Sequence, residues 1–150
     1  MEIRRMHADE TEAVVRLWRR SRDASQPWLE ARMGHTAEED RRFFEGAIAK
    51  ENDVWVAVER EVLGFLAMAR DRLGWLYVDP PAWGKGVGSA LLDKAKSLSP
   101  EGLTLHTHQR NERARTFYER RGFRAVEFGV SPPPENEPDV SYVFGLPRQG

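Results

Sequence analysis

The stretch Leu73-Gly74-Trp75-Leu76-Tyr77-Val78-Asp79-Pro80-Pro81-Ala82-Trp83-Gly84-Lys85-Gly86-Val87-Gly88-Ser89 starts as an apolar run and ends in three alternating glycines. Residues 73–78 read as a strand that Asp79-Pro80-Pro81 stops. After the glycines, Val87, Leu91, Leu92, Ala95 and Leu98 recur at helical spacing. The unit is therefore strand, glycine turn, helix. Glycines let a chain turn tightly and let a ligand approach its backbone. The first N–H groups of a helix lack internal acceptors and face outward, where an anion can accept from them. Lys85 and Ser89 add a charge and a hydroxyl. These are the parts of a phosphate cradle, although two familiar ones do not fit. The P-loop needs a hydroxyl residue directly after its lysine. The dinucleotide fingerprint needs a third small residue where this chain has Ser89 or Leu91, depending on the frame.

Working outward, residues 2–6 suit a short first strand. Ala13, Val14, Leu17 and Trp18 recur at helical spacing, with Asp9 and Glu12 placed as a capping box. Residues 21–35 lose that period and contain Pro27 and Gly34, which reads as a loop or broken helix. Thr36 with Glu39 marks another helix start, whose apolar face is Phe43, Phe44, Ala47 and Ile48. Apolar runs at 54–58 and 62–69, parted by charged residues 59–61, read as a hairpin. Downstream, 103–107 alternates as a strand, and 112–121 is helical with Gly122 as its stop. Strands at 123–128 and 140–146 close the chain around a proline-containing loop. Seven strands and about four helices in this order predict an α/β (α+β) fold, a mixed sheet covered by helices on both faces.

Composition narrows the function classes. With 150 residues, 40% of them hydrophobic, the chain suits one domain, 1–150, with its own core. It has no cysteine, which removes disulfide scaffolds, thiol nucleophiles, iron–sulfur clusters and zinc fingers. The longest uncharged stretches are far short of the ~20 residues of a membrane span, and residues 1–7 have no apolar core of a signal peptide. A soluble cytoplasmic protein is expected. The net charge of −1 hides a partition. Residues 1–80 carry 13 positive and 16 negative side chains, 81–124 carry 9 and 4, and 125–150 carry 1 and 4. The basic middle segment holds the glycine turn. Five excess charges around two helices are few for a nucleic-acid surface, so no nucleic-acid or membrane partner is expected.

A second motif lies in that segment. Asn111-Glu112-Arg113-Ala114 leads into Phe117-Tyr118 and, shortly after, Gly122-Phe123. Together with the glycine turn it resembles the GNAT superfamily of acyl-CoA-dependent N-acetyltransferases. The family's first signature, Gln/Arg-x-x-Gly-x-Gly/Ala, is met by Gly86 and Gly88 with Leu91 and Leu92 following, and Trp83 stands where Gln or Arg is usual. Its second, Asn-x-x-Ala-x-x-Phe-Tyr followed by Gly-Phe, is matched throughout. The element order agrees over nearly the whole chain. The resemblance implies a mostly antiparallel sheet and acetyl-CoA as cofactor.

It further implies that backbone amides from about Gly84 through Lys85, Gly86, Val87 and Gly88 to Ser89 hold the coenzyme A pyrophosphate, beside Trp83. Leu76, Tyr77 and Val78 would pair with the pantetheine amides as an added strand does, and the Val78 N–H would donate to the thioester oxygen as charge develops there. Asn111 reads as a helix N-cap, and by resemblance also lies near the pantetheine arm, with Ala114 and Phe117 along the same groove. Lys85, Arg110, Arg113 and Arg115 are the cations expected near coenzyme phosphates.

The implied reaction transfers acetyl to a primary amine by direct attack in a ternary complex, which needs no cysteine. A phenol can donate to the departing thiolate, and Tyr118 is the expected general acid. The amine needs a base that the sequence does not name. The resemblance places the acceptor site between the loop of the first two helices and the loop before the last strand, which directs attention to Trp28, Glu30, Arg32 and His35, and to Glu135, Glu137 and Asp139. The acidic pair Glu137 and Asp139 would hold or deprotonate a cationic amine. His106 and His108 share one face of a strand but lack a third ligand, so no metal is expected, and either remains open as the base. A homodimer through an exposed last strand is left open, as is a second reading, a GNAT-fold sensor or carrier of acyl-CoA without catalysis.

Overall fold

A computed structural model describes residues 1–146. Seven strands form one sheet in the order β1-β2-β3-β4-β5-β7-β6. They are β1 (Glu2–Arg5), β2 (Asp53–Glu59), β3 (Glu61–Ala69), β4 (Arg72–Val78), β5 (Gly102–His108), β6 (Arg124–Val130) and β7 (Pro138–Gly145). All neighbours are antiparallel except β4 and β5. The mixed, mostly antiparallel sheet expected from the sequence is what forms. β3 shows why its run is apolar throughout. Leu66 and Met68 face one core with Leu91, Leu92 and Tyr142, while Phe65 and Ala67 face the other with Leu17, Trp18 and Phe44. A strand covered on both faces has no polar side to alternate with.

Five helices occur among the described residues. α1 (Thr11–Ser25) buries Val14, Leu17 and Trp18 as its period predicts. Its entry differs from the expected Asp9–Glu12 box. A 3-10 turn (Ala8–Glu10) precedes it, and Glu10 accepts from the His7 N–H at 2.7 Å and from both Arg4 terminal nitrogens. That Arg4 fork pulls the Glu10 carboxyl down to about 2. α2 (Pro27–Met33) fills the stretch that lost its period. The two apparent breakers turn out to be its punctuation. Pro27 occupies the first helical position, and Gly34, at φ 62°, ends the helix.

α3 (Ala37–Phe43) begins at the expected Thr36–Glu39 box, with both reciprocal hydrogen bonds present at 2.8 and 3.1 Å. It runs on through a π-helical turn (Phe44–Ile48) and a last turn (Ala49–Glu51). The wider turn shifts the face. Phe44 and Ile48 are buried, whereas Phe43, expected in the core, is exposed. α4 (Val87–Leu98) and α5 (Glu112–Glu119) follow the glycine turn and the second motif. No helix among the described residues is long and apolar enough to cross a membrane.

The last strand is not an edge. β7 lies between β5 and β6, and the edges are β1 and β6. The closing hairpin folds β6 outward because β7 pairs with β5 along its full length, Gly102↔Gly145 to His108↔Asp139. Every residue of β6 is exposed. A dimer using the last strand as its edge is therefore excluded by topology.

One irregularity shapes the whole molecule. β4 and β5 are registered at a single pair, Arg72↔Thr104, and then diverge. Against β3, Ala67 pairs with Trp75 and Met68 with Leu73, which leaves Gly74 as an extra residue in β4. An inserted residue bends the strand that carries it. The bend opens a wedge-shaped gap in the sheet between Leu76–Val78 on one side and Leu105–His108 on the other.

Candidate active site

A groove of about 650 Å³ runs into that gap from the glycine turn. Leu76, Tyr77 and Val78 line it from β4, Trp83, Gly84, Gly86, Val87, Gly88 and Ser89 from the turn and α4, and Asn111, Ala114, Phe117 and Tyr118 from α5. All the coenzyme-contacting residues expected from sequence are thus gathered, with one exception. Lys85 sits exposed at the tip of the turn and is not in the wall. Gly84 and Gly86 on either side of it have φ of 77° and 84°, and this reversal turns the intervening side chain out to water.

The β3–β4 register decides what β4 offers. Asp79 N–H donates to Leu63 at 2.8 Å, and Gly64 faces Val78, so the polar groups of Val78 and Leu76 point away from β3. They point into the gap, where β5 has moved off. The Val78 carbonyl accepts from the Trp83 indole N–H at 2.7 Å. Trp83 thereby fastens the turn to the end of β4, and the Arg113 guanidinium lies 3.9 Å over its ring. The residue that departs from the family signature has a positional role of its own.

Around the turn, Gly86 is the α4 N-cap, and the first helical bond runs from Ala90 N–H to its carbonyl at 3.0 Å. Amides of the first turn therefore have no acceptor within the helix. A Cβ on Gly88 would stand 3.2 and 3.3 Å from ring atoms of Phe117, tight enough that the ring would have to give by a few tenths of an ångström. The Ser89 hydroxyl accepts from Arg121 at 2.9 and 3.1 Å, and Arg121 also donates to the Phe117 carbonyl and covers the Phe117 ring. Asn111 caps α5 by accepting from the Ala114 N–H at 3.1 Å while it faces the groove.

The cations sort differently from the sequence expectation. Arg113, Arg120 and Arg121 line the groove. Arg110 instead binds Glu137, and Arg115 binds the Tyr142 hydroxyl at 2.9 Å on the far side of α5. Positions 113, 117 and 120 lie on one helical face, so the period of α5 carried the signal for Arg120.

Tyr118 is 8% exposed, its ring edge-on to Phe117 at 5.1 Å and Phe123 at 5.3 Å. Burial, with the Tyr77 phenol nearby, pushes its hydroxyl well above the ordinary value for a phenol. Tyr77 stacks on Phe65 and is itself pushed up to about 12, chiefly by burial. Both phenols stay protonated across the physiological range.

On the other side of the gap lies a second cavity of about 370 Å³. It shares Leu76, Tyr77, Asn111, Ala114 and Tyr118 with the groove and adds Gln26, Arg72, His106, His108, Ser131, Glu135 and Asp139. Tyr118 therefore stands in the wall common to both. Of the expected acceptor residues, Glu135 and Asp139 line this cavity, while Trp28, Glu30, Arg32, His35 and Glu137 do not.

Glu137 is 2% exposed and accepts from Arg110 at 2.9 and 3.0 Å, from Arg32 at 3.0 Å and from the Trp28 indole at 3.3 Å. The Arg110 hydrogen bonds hold its carboxyl below the usual range. Two guanidiniums match its charge within the protein. It ties α2 to the loop before β7. Glu30 pairs with Arg22 at 3.0 Å, and His35 lies beside Asp40, which also receives Arg19 and Arg22. These charges join α1, α2 and α3. Gln26, which the sequence reading passed over, reaches the cavity because α2 starts directly after it.

A family model described as an acetyltransferase (GNAT) domain matches residues 50–125. The chain is 35% identical over 128 residues to the peptidyl-lysine N-acetyltransferase YjaB of Escherichia coli K12, covering 84% of each. This chain belongs to the GNAT acetyltransferases. Its GNAT relatives include the Salmonella typhimurium YjaB, named likewise, at 33% identity over 84% of this chain and 85% of that one. The solution structure of apo YjaB from Escherichia coli superposes with a TM-score of 0.78 at 29% identity, covering 97% of both chains. As a GNAT member the protein is an acyl-CoA-dependent N-acetyltransferase. Acetyl-CoA, expected from sequence as a cofactor, is a substrate consumed at each turnover.

Proposed function

We propose that the protein acetylates the ε-amine of a lysine in a protein or peptide, with acetyl-CoA in the glycine-turn groove and the amine entering from the second cavity. The observation that carries this is Tyr118, protonated and set in the wall shared by the two cavities. The neutral amine attacks the thioester carbon and forms the C–N bond. The Val78 N–H, turned into the gap, donates to the oxyanion. The C–S bond then breaks, the sulfur takes its proton from the Tyr118 hydroxyl, and the proton released from the new amide nitrogen restores the phenol. A free thiol has a pKa of ~8.5, and desolvation in the same wall raises the proton affinity of the departing thiolate toward that of the phenol.

The lysine acceptor is supported by the names of the relatives and by Glu135 and Asp139, which give the second cavity an acidic wall suited to a cationic side chain. Residues 1–150 are read as a single transferase domain acting in the cytoplasm.

The test replaces Tyr118 with Phe. kcat is expected to fall ~10²-fold or more, with acetyl-CoA affinity by calorimetry unchanged. A wild-type chain that binds acetyl-CoA but consumes none over a panel of lysine peptides and small amines would be a sensor and would overturn the proposal.

A further inference from the structure

An attacking amine must first lose a proton, and the second cavity contains one group arranged to take it. His108 ends β5 with both ring nitrogens engaged: Nδ1 lies 3.0 Å from Gln26 Oε1, and Nε2 lies 2.9 Å from Glu135 Oε1. All three side chains line the cavity that also contains Tyr118. They come from separate parts of the chain, namely the junction of α1 and α2, the end of β5, and the loop between β6 and β7. Gln26 is neutral and buried, so with its oxygen toward the ring it holds a hydrogen on Nδ1. In neutral His108 the lone pair is then on Nε2, the nitrogen beside Glu135.

We infer that His108 is the proton acceptor for the amine substrate, with Glu135 and Gln26 as its positioning residues. This rests on the acetyl-transfer reading above. The acceptor ammonium enters with one N–H toward the Glu135 carboxylate and another toward His108 Nε2. The proton passes to Nε2, and the amine keeps the electron pair that then forms the C–N bond. The imidazolium then closes on Glu135, whose Oε1 lies 2.9 Å from Nε2. Its proton leaves to water at the cavity mouth, where the Glu135 side chain is 33% exposed. In the closed pair the His108 hydrogen bond holds the Glu135 carboxyl below its usual range, and when that pair opens to substrate an ordinary glutamate value of ~4.3 still leaves it ionised.

The other charged groups facing His108 are accounted for. Asp139 is its cross-strand partner, and His106 and Arg72 line the same cavity. Arg32 is held by the Glu135 carbonyl and by Glu137, and Glu137 is neutralised by Arg110 and Arg32. His106, two residues earlier on β5, is exposed, and among the described residues no carboxylate is paired with its ring.

The experiment measures the pH profile of kcat/KM with acetyl-CoA and the best amine from the panel, in wild type, H108Q, H108A and E135Q. Wild type is expected to lose activity toward acid along a limb of unit slope. H108Q is expected to lose ~10²-fold at neutral pH and to lose the limb, with acetyl-CoA affinity and Tm near wild type. Added imidazole is expected to restore part of the rate of H108A. E135Q should move the limb to lower pH, because the imidazolium has lost its carboxylate, and it tests the inference even where a His108 variant does not fold. A limb that persists in H108Q, or stays in place in E135Q, overturns the assignment while leaving the acetyl-transfer reading intact. A wild type that turns over no amine overturns both.

Discussion

The two sides of the opened sheet are built by different means. The groove side is made largely of main chain over a short span. Its key features are the φ angles of Gly84 and Gly86, the missing Cβ of Gly88 and the outward polar groups of Leu76 and Val78. The cavity side is made of side chains far apart in sequence. Trp28 reaches Glu137, His108 reaches Gln26, and Arg110 and Arg32 converge on one carboxylate. A backbone device tolerates changes in side-chain identity as long as the glycines remain. A side-chain device depends on each charge finding its partner. On the proposed function the main-chain groove holds acetyl-CoA and the side-chain cavity holds the amine.

This contrast can be broken from either side. The largest expected effect is on the cavity side. Glu137→Ala leaves Arg110, Arg32 and Trp28 without their shared acceptor and should cost ~2–3 kcal/mol in urea unfolding. That is below the ~3–5 kcal/mol for breaking a fully buried pair, because both guanidiniums are partly in water. The acceptor KM should rise, while acetyl-CoA affinity of the folded protein stays within about twofold. The same carboxylate sets a pH dependence. Its folded pKa is lowered, so its contribution is present above the ordinary glutamate value of ~4.3 and is lost as pH falls through the lower folded value. Wild-type unfolding free energy should therefore drop in that acidic window, and the drop should be smaller in E137Q.

On the groove side, Gly88→Ala places a methyl against Phe117 and should cost ~1–3 kcal/mol as overpacking. The expected readout is acetyl-CoA affinity weakened about tenfold or more, with acceptor KM little changed. Trp83→Phe removes the hydrogen bond to the Val78 carbonyl, worth ~1 kcal/mol, leaves a smaller ring beneath Arg113, and should weaken acetyl-CoA about fivefold. The smallest effect belongs to Lys85→Ala, which changes a side chain outside the groove wall and should leave acetyl-CoA affinity within about twofold in isothermal titration. If Lys85→Ala proves worse than Trp83→Phe, the groove depends on side-chain charge and the contrast fails.

Local features were legible before the fold was known. The strand–turn–helix unit, the Thr36–Glu39 box and the Asn111 cap each depend on residues within a few positions of one another, and each forms as read. α2 reads in sequence only as a loop or a broken helix, because its seven residues show no full apolar period, although Pro27 and Gly34 mark both ends. Glu30, His35 and Glu137 read as acceptor residues, yet Glu30 and Glu137 pair with arginines and His35 lies beside Asp40. Charge in a sequence does not say whether a carboxylate faces a cavity or a guanidinium. Arg110 and Arg113 are three residues apart and carry the same charge, yet one closes on Glu137 and the other lies over Trp83.

By itself, then, the sequence determined the family, the glycine cradle, and Tyr118 beside Phe117, because these rest on backbone conformation and helical period over short spans. The tertiary structure decided the rest. Gly74 bends β4 away from β5, the gap makes two cavities with Tyr118 between them, and the β6–β7 loop carries Glu135 to His108 while Glu137 is spent on arginines. The physical reason is range. Torsion and periodicity are set by neighbours in the chain, whereas burial and charge pairing are set by whatever the fold brings within a few ångströms.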